Sequence, residues 1–244
     1  MFSLQDKRFL VTGGSSGIGR QISIHLGQQG AQVTLVGRNL ERLQNVTAEM
    51  KDGNHKCFSF DLTKQNEVAA FIKQQIPFDG IVFNAGIVDY LPIKFMSDEK
   101  INKVFDVNFK GAVLLCQQLI KNKLITKGGS LVFISSISSK LGIPGTALYA
   151  ASKAAICAYS KVVASELAAQ KIRANCICPG IVITPMTANA EDVSTTSLED
   201  AEKEYPLGYG RPEDVSALVT YLLSDESRWM TGTDLILDGG LTLK

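Results

Sequence analysis

The chain has 244 residues, 45% of them apolar and 20% charged, with a net charge of +1. That length suits one large α/β domain, and the near-balance of charge lacks the strongly basic face of a nucleic-acid binder. No apolar run approaches the ~18–20 residues that a membrane-spanning helix needs. From the first residues onward, short β-branched runs alternate with longer helical stretches. Strands are expected at 8–12, 32–36, 56–60, 80–84, 130–135, 172–178 and 234–237, and helices near 17–29, 39–50, 64–75, 98–123, 147–170 and 212–223. Several of these strands are apolar almost throughout, as befits a sheet covered on both faces. The β-α-β-α order predicts a single α/β domain over 1–244: a doubly wound parallel sheet of about seven strands with helices on both faces. The alternation breaks at 186–207, a stretch whose position after a late strand suits a lid over the site.

The start of the chain runs into the first strand without the layout of a signal peptide. The cysteines (Cys57, Cys116, Cys157, Cys176, Cys178) are odd in number and lack CxxC spacing. They read as reduced, mostly buried thiols of a cytoplasmic protein, with Cys176 and Cys178 on one face of their strand. His25 and His55 have no metal-ligand spacing and read as structural or solvated, so no metal site is expected.

The first strand ends in Thr12-Gly13-Gly14-Ser15-Ser16-Gly17-Ile18-Gly19-Arg20, and a helix follows at once. Glycines permit a tight turn and a close backbone approach to a pyrophosphate, and the helix N-terminus favours the anion. Between the first strand and first helix of a βαβ unit, this turn predicts a dinucleotide site. The second strand ends Leu35-Val36-Gly37-Arg38-Asn39. An acidic residue there would accept from the ribose 2′-hydroxyl of NAD, but Gly37 takes that place. Arg38 can instead hold a 2′-phosphate through a forked, charge-assisted contact worth roughly 1.5–3 kcal/mol. NADP(H) is therefore favoured over NAD(H). Further along, Tyr149 and Lys153 stand four residues apart in a helical stretch, hence on one face. An ammonium beside a phenol favours the phenolate and brings the tyrosine towards the range of a working general acid.

Thr12-Gly13-x-x-x-Gly17-x-Gly19, Asn84-Ala85-Gly86, Asn108, Ser136, Tyr149-x-x-x-Lys153 and Pro179-Gly180 stand in the order and at the spacing of one family. Over essentially its whole length, to Thr231-Gly232 and Asp238-Gly239-Gly240, the chain resembles the short-chain dehydrogenase/reductases, which have a Rossmann-like fold. The resemblance implies that Tyr149 donates a proton to a carbonyl, or accepts one from an alcohol. Lys153 would lower the tyrosine pKa and hold the nicotinamide ribose, and Ser136 would hold the substrate oxygen. Asn108 would anchor a water chain feeding protons through Lys153. For the cofactor, Asp61 and its neighbour Leu62 would meet the adenine, with Asn84, Ala85 and Gly86 lining the adenosine side. Val182 and Thr184, after Pro179-Gly180, would meet the carboxamide. Two departures stand out: Phe83 precedes Asn84 where the family often has a second asparagine, and Ser16 replaces the basic residue that many NADP-using members carry in the glycine turn.

The resemblance lies nearest the 3-oxoacyl-[acyl-carrier-protein] reductases and implies reduction of a small-molecule ketone to a secondary alcohol, with an acyl thioester as one candidate substrate. Sugar, steroid or small-alcohol dehydrogenation at the same site is the alternative. A non-catalytic NADP-binding redox sensor is a reading of another class, against which the intact Asn108, Ser136, Tyr149 and Lys153 set speaks. The stretch at 186–207 carries Glu191, Asp192, Glu199, Asp200, Glu202 and Glu204 against Lys203, which would disfavour acidic substrates. Lys121, Lys123, Lys127, Lys171 and Arg173 could meet an acidic carrier protein. Helices at 98–123 and 147–170 are expected to pair between subunits, giving a homotetramer, with a homodimer as the alternative.

Overall fold

In the computed structural model, which describes residues 3–50, 53–188 and 198–243, the short apolar runs become seven parallel strands of one sheet. In chain order the elements are β1 (Arg8–Thr12), α1 (Gly17–Gln28), β2 (Gln32–Gly37), α2 (Leu40–Glu49), β3 (Lys56–Ser59), α3 (Gln65–Ile72) and β4 (Phe78–Phe83). There follow α4 (Asp98–Phe105), α5 (Gly111–Lys121), β5 (Ile125–Ile134), α6 (Ala147–Leu167), β6 (Arg173–Pro179), α7 (Pro185–Ala188), α8 (Leu198–Glu202), α9 (Pro212–Leu223) and β7 (Asp234–Leu237). The strands lie in the order β3-β2-β1-β4-β5-β6-β7. The chain thus starts mid-sheet, winds out to one edge, returns beside β1 and winds out to the other.

Alternation along each strand divides the core in two. Leu10, Ile81 and Phe133 meet Phe71 of α3, Leu115 and Leu119 of α5 and Ile156 of α6 on one face. Phe9, Val11 and Val33 meet Ile22 and Leu26 of α1, Leu43 of α2 and Val215 and Val219 of α9 on the other. Each such side chain, fully withdrawn from water, contributes about 1.5–3 kcal/mol. Phe83, the departure before Asn84, stacks on Phe133 with ring centroids 4.5 Å apart, so it serves packing. His25 Nδ1 pairs with Ser216 Oγ at 3.0 Å, and His55 Nδ1 accepts from the Val33 amide at 3.2 Å, so both histidines have structural partners.

Most boundaries shift by one to three residues, and three segments depart further from the sequence reading. The helix expected over 98–123 is broken by a π-helical turn at Asp106–Lys110 between α4 and α5. Strand β5 starts at Ile125, not near 130, and pairs Ile125 with Phe78. Gly128, at φ +82°, is carried within the strand while the pairing shifts register against β4. The irregular stretch at 186–207 holds two short helices, α7 and α8, while Glu191, Asp192 and the Glu199 side chain lie outside the described residues.

Candidate active site

Where strand order reverses, the segments leaving β1 and β4 diverge and a crevice opens at their carboxyl ends. Thr12 ties the two ends together. Its Oγ1 accepts from the Asn84 and Ala85 amides at 3.0 and 3.1 Å and donates to the Val82 carbonyl at 3.3 Å. Asn84 Nδ2 donates back to the carbonyls of Thr12 and Gly13 at 3.2 and 3.3 Å. Gly13, at φ +67°, leaves no room for a side chain, since a Cβ would stand 2.9 Å from Ala85 Cα. Gly19 is tighter still: its Cβ would fall 2.2 Å from the Gly13 carbonyl oxygen, so the helix packs directly on the turn. Ser16 caps α1 without a side-chain hydrogen bond, and the first turn carries no acidic residue. The leading N–H groups are therefore left to an outside anion.

Of the residues expected at the site, Gly13, Ser15, Ser16, Gly17, Ile18, Arg38, Asp61, Leu62, Asn84, Ala85, Gly86, Ser136, Tyr149, Lys153, Pro179, Gly180, Val182 and Thr184 line one cleft of about 290 Å³. Gly19 and Asn108 do not; they stand behind it. The cleft also takes in Gly37, read above as the residue in place of an acid, together with Thr63, Ile87, Val107, Ser135, Met186 and Thr187, which the motifs did not single out. The signal for the others was adjacency: Ile87 follows Gly86, and Thr63 follows Leu62. A Cβ on Gly37 would meet Leu43 Cδ2 and Ser15 Oγ, each at 3.5 Å, so the missing side chain leaves room beside the glycine turn. Asp61 accepts from the amide and hydroxyl of Thr63 at 2.9 and 2.8 Å. Partial burial works against its charge, but the Thr63 hydrogen bonds, with Arg38 and Lys64, hold its pKa below the usual carboxylate value. Behind Gly180 and Val182 of the far wall, the Tyr205 hydroxyl accepts from the Ile181 amide at 3.2 Å, and on the wall itself the Thr184 amide donates to Thr187 Oγ1 at 2.9 Å. An uncapped helix end, side-chain-free turns and a cation beside a small opening are what a dinucleotide requires, so these residues fit one.

At the inner end, α6 presents Tyr149 and Lys153 to the cleft. Lys153 Nζ lies 5.7 Å from the centre of the Tyr149 ring and donates to the Ile134 carbonyl at 2.8 Å. The lysine is 4% exposed, and burial pulls its pKa down to about 8. Burial pushes Tyr149 up to about 12, against a hydrogen bond from Ser136 that favours the phenolate. This reverses the expectation of a lowered tyrosine. The amine is turned to the Ile134 carbonyl, and the cost of a desolvated phenolate outweighs any help from the neighbouring charge.

The four serines separate by role. Ser136 faces the cleft and accepts from the Ser138 amide at 3.1 Å. Ser135 donates to the Lys153 carbonyl at 2.8 Å, and Ser139 donates to the Ser136 carbonyl at 2.6 Å. Asn108, buried on the π turn, accepts from the Ile87 amide at 2.7 Å. It donates to the Ile87 carbonyl at 2.9 Å and to Ser152 Oγ at 3.0 Å. Its amide thus clamps the loop after β4 to α6. The place where a Cβ of Gly86 would stand is 3.3 Å from both Asn108 Oδ1 and Lys153 Nζ.

Residues 13–242 match a family model described as enoyl-(acyl carrier protein) reductase. The chain is 33% identical to 3-oxoacyl-[acyl-carrier-protein] reductase FabG of Thermotoga maritima, over 98% of this chain and 99% of that one. It is 36% identical to carbonyl reductase family member 4 of Xenopus tropicalis, over 96% and 97%. A short-chain type dehydrogenase/reductase from Mycobacterium marinum superposes with a TM-score of 0.90 at 32% identity, covering 100% of this chain and 98% of that one. A glycine turn built for a dinucleotide, a serine–tyrosine–lysine set at the inner end of the same cleft and these full-length likenesses lead to one conclusion: the chain belongs to the short-chain dehydrogenase/reductase family of nicotinamide-dependent oxidoreductases and resembles its 3-oxoacyl-[acyl-carrier-protein] reductases.

Proposed function

We propose that the protein reduces a ketone to a secondary alcohol with NADPH, with Tyr149 as the proton donor. The convergence of Ser136, Tyr149 and Lys153 at one end of the dinucleotide cleft carries this reading. A bound nicotinamide supplies the hydride. Ser136 orients the carbonyl oxygen by a hydrogen bond beside the phenol. Tyr149, raised by burial, is protonated at neutral pH and so is charged with the proton to be given. Lys153, charged below about pH 8, stabilises the phenolate left behind and offers its remaining donors to the ribose. Asn108 is a positioning residue that fixes the loop after β4 against α6. A buried ammonium costs stability and a passive NADP sensor has no use for one, which favours catalysis over regulation.

The opening between Ser15, Gly37 and Arg38 supports NADPH over NADH. A 3-oxoacyl thioester is the substrate class favoured by the named relatives, with Met186 on the cleft wall and the half-exposed Ile183 beside it offering apolar surface to a chain. The sequence reading of 186–207 as the lid stays a proposal, with residues 189–197 of it outside the described residues. The decisive experiment is Tyr149→Phe assayed with NADPH and a 3-oxoacyl thioester. NADPH binding should stay within about twofold while kcat falls by roughly 10²–10⁴. Turnover at the wild-type rate would exclude Tyr149 as the acid.

A further inference from the structure

Behind the catalytic face, one turn along α6 from Lys153, three sulfurs converge. Cys157 Sγ lies 3.5 Å from Cys176 Sγ and 3.8 Å from Cys178 Sγ, and all three atoms are within 4.8 Å of one another. Cys176 and Cys178 share a face of β6 because strand side chains alternate, and Cys157 comes down on them from the helix. None is more than 3% exposed. A fourth donor, Ser139 Oγ, stands 3.8 Å from both Cys157 Sγ and Cys178 Sγ. Among the described residues no other group of three His, Cys, Asp or Glu side chains converges in this way.

The spacing has a chemical meaning. A zinc-type ion held tetrahedrally at about 2.3 Å from sulfur needs sulfur–sulfur edges of about 3.8 Å. The two edges from Cys157, 3.5 and 3.8 Å, lie close to that length, and the third sulfur pair stands within 4.8 Å, so side-chain adjustments of an ångström or less would complete the site. A disulfide needs its sulfurs about 2.05 Å apart, and closing even the nearest pair would draw α6 into β6 by over an ångström. We propose that Cys157, Cys176 and Cys178, with the Ser139 hydroxyl as the fourth donor, form a site for a soft divalent metal ion of the zinc class.

Binding would break three S–H bonds, form three metal–sulfur bonds and release three protons to solvent. A divalent ion with three thiolates carries one net negative charge. Thiolate-rich donors exclude magnesium and calcium, which require oxygen. The ion would pin the middle of α6 to β6 behind the reactive tyrosine and lysine.

The test uses the full chain, reduced with a phosphine and titrated with cadmium chloride as the probe, both as purified and after refolding in its presence. The expected result is one ion per chain, with the ultraviolet charge-transfer absorption of three thiolates. Cys157→Ala and Cys178→Ala should each weaken binding by at least about a hundredfold, the loss of one of few strong ligands. Cys57→Ala, altering the half-buried cysteine outside the group, should leave binding unchanged. X-ray absorption on the wild-type protein loaded with zinc gives an answer even if a variant fails to fold: three sulfur neighbours at about 2.3 Å and one lighter atom are expected. Absence of stoichiometric uptake after refolding, a shell without sulfur, or binding lost in Cys57→Ala and kept in Cys157→Ala would each overturn the assignment.

Discussion

Lys153 is the residue where function and stability pull hardest against one another. Burial holds its pKa in the folded chain at about 8, against 10.5 for a lysine in water, so between these values the unfolded chain binds more protons than the folded one. Stability therefore rises with pH across that window, and below about pH 8 the folded state bears the whole cost, roughly 3 kcal/mol. Lys153→Met removes that cost along with a hydrogen bond to Ile134 worth about 1 kcal/mol. The variant should be inactive yet melt several degrees above the wild type at pH 7, with the gap closing by pH 10. Melting curves that show it less stable at pH 7, or equally displaced at both pH values, would contradict this account. Gly37 offers a second test. A carboxylate introduced by Gly37→Asp would project towards Ser15 and compete with a 2′-phosphate. The ratio of kcat/KM for NADPH to that for NADH should fall at least tenfold, about 1.4 kcal/mol. An unchanged ratio would place the 2′-phosphate elsewhere. Both residues were legible from spacing alone. The raised pKa of Tyr149 was not, because it depends on how deeply the phenol is sunk, a matter of tertiary packing.

At the scale of elements, the strands were read closely wherever apolar runs ended at glycine, asparagine or proline. β1 and β7 match residue for residue, and β6 by all but its end residues. The π turn at Asp106–Lys110 could not be read, because its sequence, Asp-Val-Asn-Phe-Lys, continues the helical pattern of its flanks. What opens it is a long-range contact: the wider turn lets Asn108 reach Ile87 and Ser152. Asn108→Ala should leave the amide and carbonyl of Ile87 without these partners, at about 1–3 kcal/mol for each group left unsatisfied. Thermal melts should show a loss of several degrees, and KM for NADPH should rise as the loop after β4 slackens. Unaltered stability would mean that water replaces the side chain. The three-thiol group was half legible. Alternation places Cys176 with Cys178, but only the docking of α6 on β6 adds Cys157.

For the whole molecule, the two sheet edges differ. β3 is short and ends in exposed Lys56 and Ser59, a poor template for another strand. β7 carries half-exposed Ile236, and the adjoining Trp229 and Leu243 are 94% and 83% exposed. Val162 on α6 stands outward as well, at 55%. The sequence reading expects a homotetramer, and these two exposed apolar surfaces are the candidate contacts for it. Light scattering should return the mass of four 26.4 kDa chains, and Trp229→Glu with Leu243→Glu should halve it. A wild-type dimer or monomer would rule the tetramer out. The placement of β1 at the centre of the sheet carries a further consequence for the protein's birth. β1 emerges from the ribosome before the other strands of the sheet, yet its partner β4 ends at Phe83, about seventy residues later. Until then the nascent chain can complete only β3-β2-β1, leaving as its open flank the strand whose Phe9, Leu10 and Val11 are all 0% exposed in the finished fold. A pause in translation before residue 83 would thus expose the stickiest edge the molecule possesses. The cell's holding chaperones, rather than the cofactor, would have to guard it, since half of the cleft has yet to be made.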